Sequence, residues 1–86
     1  MQFEAAVMKT AGVTFAVVVV KPAVISNARD ANSIIAAFQK VLDGKPVVLM
    51  AENGAEGPSY YGRGDITSLV STVPVNSIPW QKFTLY

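Results

Sequence analysis

The sequence predicts an α+β fold: a two-layer sandwich of order ββαββαβ, with a mixed, mostly antiparallel sheet and two helices on one face. Three observations lead there. Val13 to Val20 and Pro46 to Ala51 are short runs, apolar on both faces and rich in valine, as central strands are. Between them Ala31, Ile34, Ile35, Phe38, Val41 and Leu42 recur at helical spacing and make one apolar stripe. With 86 residues, 51% of them apolar and 15% charged, there is room and material for one core and one domain spanning residues 1–86. An average domain is about 25% charged, and a disordered chain is poor in apolar residues, so disorder is excluded.

Met1 to Met8 reads as a first strand, joined by the turn Lys9-Thr10-Ala11-Gly12 to the strongest strand, Val13 to Val20, in a hairpin. Ser26-Asn27 opens the first helix, with Asn27 as its cap and Asp30 in the first turn, where the helix dipole favours an anion. Gly44 stops that helix and Pro46 prevents its return. The link from Val20 through this helix to Pro46 is therefore a crossover between parallel strands. Pro46 to Ala51 is the second central strand, Asn53-Gly54 and Glu56-Gly57-Pro58 are turn signals, and Ser59 to Gly62 returns as a shorter strand. Ile66, Leu69, Val70 and Val73 share one face of a second helix that Pro74 ends. After the wide turn Pro74-Val75-Asn76-Ser77-Ile78-Pro79, the segment Trp80 to Tyr86 alternates as a half-buried strand.

Arg63-Gly64-Asp65 has the form of a cell-adhesion tripeptide, but its position suggests another role. Asp65 stands just before the apolar periodicity of the second helix, where a carboxylate caps orphan amides. Gly62 and Gly64 flank Arg63 at a strand-to-helix corner. The expected reading is a corner and an N-cap.

The chain has no cysteine and no histidine, which removes thiolate and imidazole chemistry: disulfides, zinc fingers, cysteine nucleophiles and histidine bases. No metal, cofactor or catalytic residue is expected. A net charge of +1 sets up no long-range field toward nucleic acid or an anionic membrane. Ala11 to Val20 is too short to span a bilayer, and with Glu4 before it and Lys21-Pro22 after it the run is a poor signal peptide. A cytoplasmic protein is expected.

Two weaker constellations remain. Ligands tend to bind beyond the carboxyl ends of parallel strands, which here carry Lys21, Ser26, Asn27 and Arg29 from one connection and Glu52 and Asn53 from the other. A helix N-terminus at that place would favour a small anion. Tyr60, Tyr61, Arg63, Trp80 and Lys82 supply the rings and cations of a single-stranded nucleic-acid surface, but adjacent strand residues Tyr60 and Tyr61 must point to opposite faces.

The leading expectation is a non-catalytic protein-interaction module; a small-anion or nucleic-acid binder is the alternative. With both helices on one face, the other sets of valines on the central strands would stay exposed. That exposure predicts a two-fold homodimer through the apolar sheet face.

Overall fold

The computed structural model describes residues 2–52 and 57–84. Its strands are β1 (Gln2–Thr10), β2 (Val13–Val19), β3 (Val47–Glu52), β4 (Pro58–Tyr61) and β5 (Gln81–Thr84). Its helices are α1 (Pro22–Ile25), α2 (Ala28–Val41) and α3 (Gly64–Ser71), with a 3₁₀ turn at Val75–Ser77. The sheet runs in the order β4-β3-β2-β1-β5. β2 and β3 pair parallel, Val17 opposite Val48, and every other pairing is antiparallel. This is the mixed α+β sheet the sequence predicts. The single turn α1, opened by Pro22 in its first position, is an addition to the expected order.

The helices do not share a face. Phe15, Val17, Val48 and Met50 pack with Ile66 and Val70 of α3, while Ala16, Val18, Val47 and Leu49 pack with Ala31 and Phe38 of α2. Alternate residues of β2 and β3 thus enter two cores, one on each side of the sheet. The correction has a simple cause. α2 belongs to the crossover between the parallel strands β2 and β3, and α3 leaves the edge strand β4 at a corner that turns it to the opposite side. Strands apolar on both faces are what a sheet covered on both faces requires. The uncovered valine face that suggested a homodimer is therefore covered within the chain. Among the described residues the large apolar side chains left well exposed are Val7 (44%) and Val41 (48%), single positions rather than a whole face.

Local chemistry sets the joints. β1 and β2 stay paired up to Thr10 and Val13, so the hairpin closes on two residues, Ala11 (φ 53°) and Gly12 (φ 78°), the two positive φ angles of a type I′ turn. Asn27 caps α2 as expected, its Oδ1 accepting from the Arg29 and Asp30 amides at 3.1 and 3.3 Å. At the other end Asp43, not Gly44, is the first left-handed residue (φ 57°), and the Gly44 amide donates back to the Gln39 carbonyl at 2.7 Å. That pair is a Schellman closure.

On the α2 side, Phe3 meets Phe38 edge-on at 4.4 Å and stacks on Phe83 at 5.5 Å, closing that core over β1 and β5. On the α3 side, the chain after α3 supplies Val75, Ile78 and Trp80, and the Trp80 indole N–H donates to the Val75 carbonyl at 3.2 Å.

Candidate functional site: a cleft beside the edge strand

β4 ends at Tyr61, and the chain must then cross over β3 to start α3. Gly62 makes the crossing. A Cβ there would lie 3.2 Å from Val48 Cγ2 and 3.3 Å from the Val47 carbonyl oxygen, a tight fit that would require those neighbours to give by a few tenths of an ångström. The crossing leaves a cleft of about 410 Å³ between α2 and the end of β4. Its apolar wall is Ile35, Pro46, Val47 and Ile66; its polar groups are Asn32, Gln39, Tyr61 and Arg63.

Asn32, Ile35 and Gln39 come from one flank of α2, at spacings of three and four residues that bring them onto one stripe. Tyr61 lies on the α2 side of the sheet, and its hydroxyl donates to Asn32 Oδ1 at 3.1 Å, joining edge strand to helix. Tyr60, one residue earlier, packs on the α3 side. The two tyrosines do point to opposite faces.

Arg63 is held by Asp65. Its Nη2 donates to Oδ2 at 2.8 Å and its Nε to Oδ1 at 3.3 Å, a two-point contact with both side chains more than half exposed. Asp65 is not the N-cap that the sequence suggested. α3 begins earlier, at Gly64, because the Arg63 carbonyl already accepts from the Ile66 and Thr67 amides at 3.1 and 2.9 Å. Asp65 sits inside the first turn, its Oδ1 also accepting from the Ile66 amide at 3.0 Å. The Arg63 hydrogen bonds hold its carboxyl below the usual aspartate range. Burial pushes the Tyr60 phenol up. Neither shift moves a group toward neutrality, where acid–base work is done. Arg63 and Asp65 of the tripeptide engage each other at the strand-to-helix corner.

The residues expected beyond the carboxyl ends of β2 and β3 form a separate neighbourhood. The Val20 amide donates to the Met50 carbonyl at 2.8 Å, so the two strand ends do lie side by side. Lys21, Ser26, Asn27, Arg29 and Glu52 are exposed there, and Asn53 lies outside the described residues. Much of their chemistry is already used: Asn27 caps α2, and the Ser26 hydroxyl donates to the Pro22 carbonyl at 3.2 Å. None of these residues lines the α2–β4 cleft. The aromatic and basic set is dispersed. Tyr60 and Tyr61 take opposite faces and Trp80 packs against the α3-side core. Lys82 sits on β5, four positions across the sheet from β4, or about 19 Å at the usual strand spacing.

Sequence reasoning missed Asn32 and Gln39. Their signal was present, as two amides bracketing the apolar stripe of α2. Its meaning depended on knowing that β4, and not β1, lies beside that flank. No helix among the described residues is long and apolar enough to cross a membrane. Set against known protein families, curated proteins and solved structures, the chain matches none significantly.

Proposed function

We propose that the protein is a non-catalytic cytoplasmic module that binds a partner protein through the cleft between α2 and β4. The observation that carries this reading is the cleft itself: an apolar wall of Ile35, Val47 and Ile66 facing the hydrogen-bonding groups of Asn32, Gln39 and Tyr61. Concave sites with an apolar wall and a few convergent polar groups take up small ligands, about 410 Å³ is within their range, and such a cleft can take side chains of a partner's peptide segment. The polar groups are neutral amides and a phenol, suited to hydrogen-bonding a peptide, while the one cation, Arg63, is matched by Asp65. The described carboxylates lie exposed, which favours recognition over acid–base chemistry.

The test is an amide-resolved NMR titration of the ¹⁵N-labelled protein with N-methylacetamide and capped dipeptides as probes of peptide chemistry. Shifts concentrated on Asn32, Ile35, Gln39, Tyr61 and Gly62, and lost in Tyr61→Ala, are expected. Shifts scattered over the surface, or unchanged by Tyr61→Ala, would overturn the reading.

A further inference from the structure

We infer that the α2–β4 cleft selects a partner segment that offers carbonyl oxygens without amide hydrogens, as a proline-rich stretch does. This rests on the binding role just proposed and names the chemistry of the segment. Two hydrogen-bonded pairs set the balance of donors and acceptors. Tyr61 donates its hydroxyl to Asn32 Oδ1, which engages the amide oxygen and leaves the Nδ2 hydrogens without a partner among the described residues. Arg63 gives Asp65 one hydrogen from Nε and one from Nη2, and its Nη1 hydrogens are left over in the same way. Arg63 lines the cleft and Asp65 does not. Each pair therefore engages an acceptor and leaves donors facing the site. The side-chain acceptors that remain are the Tyr61 oxygen and one end of the Gln39 amide, which brings donors of its own.

An ordinary peptide carries an N–H for every carbonyl. In a donor-rich cleft the carbonyls find partners, while N–H groups removed from water without an acceptor cost free energy. Proline keeps the carbonyl and removes the amide hydrogen. Its apolar ring suits the wall of Ile35, Pro46, Val47 and Ile66, and Tyr61 adds an aromatic ring of the kind on which proline-rich segments dock. Such a segment is already extended before it binds, so little ordering is needed. Arg63 and Asp65 together carry no net charge, so the matching acceptor is an uncharged carbonyl and not a carboxylate.

The probes are acetyl-tetraproline dimethylamide, which has carbonyls and no N–H, and acetyl-tetraalanine methylamide, which has an N–H for each carbonyl. Acetate is the charged probe. Each is titrated into the ¹⁵N-labelled full chain. Shifts at Asn32, Ile35, Gln39, Tyr61 and Gly62 are expected with both peptides, the proline peptide binding tighter by about fivefold or more. Asn32→Asp, at an exposed position, keeps an oxygen for the Tyr61 hydroxyl and replaces the free donor by an acceptor. It should weaken the proline peptide by about fivefold and strengthen the alanine peptide, a reversal that greater apolarity of proline would not produce. Equal binding of the two peptides to the wild type, or a preference unchanged by Asn32→Asp, overturns the carbonyl preference and leaves the cleft reading standing. Weakening of both peptides alike by Asn32→Asp also overturns it, since Asn32 would then be structural. So does acetate acting on the same amides at lower concentration than either peptide, since Arg63 would then be a charged anchor. No cleft shifts from either peptide would overturn the cleft reading as well.

Discussion

The two faces of the sheet are covered by different means. α2 is a fourteen-residue helix closed at both ends, by Asn27 at the start and by the Asp43–Gly44 closure at the finish. α3 is an eight-residue helix with no side-chain cap at its N-terminus. Helices shorter than about 12–15 residues are marginal on their own, so α3 exists because Ile66 and Val70 are buried, not because its sequence insists on a helix. It is further held by the strap through Val75, Ile78 and Trp80. One helix has local closures at both ends in addition to its buried face; the other depends more heavily on the fold around it. That difference places the candidate site on the seam between them, where Gly62 passes from one kind of structure to the other.

The largest expected effects test whether both faces are core. Leu49 and Met50 are adjacent on β3, both buried, and point to opposite sides. Leu49→Ala and Met50→Ala should each cost about 2–5 kcal/mol in chemical denaturation. If one of them cost less than about 1 kcal/mol, its face would behave as a surface, and the two-sided core would be wrong.

Gly62→Ala comes next. The added methyl presses on the Val48 side chain and on the Val47 carbonyl, which belongs to a strand paired on both sides. A loss of about 1–3 kcal/mol is expected. Because α3 is the dependent helix, its amide protons should lose hydrogen-exchange protection before those of α2. Equal loss in both helices would mean that the two faces do not differ in the way described.

Asn27→Ala tests the local side. It leaves the Arg29 and Asp30 amides without their side-chain acceptor and should cost about 1 kcal/mol. The change should appear first as fraying of the first turn of α2. Denaturation at the wild-type midpoint would show that the cap adds nothing to a helix already held by Phe38.

How much of this was legible follows the same division. The α2 side was readable because its signals are short-range: an asparagine before a helical stripe, a glycine and a proline after it. The central strands were readable for the same reason, as runs of valine. Their assignment to faces was not, although the evidence lay in those runs, since Val17 and Val18 cannot both be buried by one helix. The start of α3 was misplaced because periodicity begins at the first apolar residue, Ile66, whereas the helix begins where the Arg63 carbonyl first accepts a bond. The cleft was invisible for a topological reason. Asn32 and Tyr61 are 29 residues apart, and only the strand order brings them within 3.1 Å.

The smallest expected effect concerns Asp65, and its sign follows from the Arg63 contact. A carboxyl held below its ordinary range when folded contributes stability above its unfolded value, and that stability is lost as pH falls through the folded one. In Asp65→Asn the charge is gone while the side chain can still accept from the Ile66 amide. Wild type should therefore be slightly more stable than Asp65→Asn near neutrality, and the gap should close as the pH drops below the ordinary aspartate value of about 3.9. Both side chains are exposed, so the gap should be smaller than that of Asn27→Ala and should shrink further in high salt. Thermal melts of the two proteins at neutral pH and at acid pH measure it. A gap that stayed the same at both would assign the role of Asp65 to its shape in the first turn of α3. The Arg63 guanidinium would then be free to turn into the cleft, and the description of that cleft as electrically neutral would have to change.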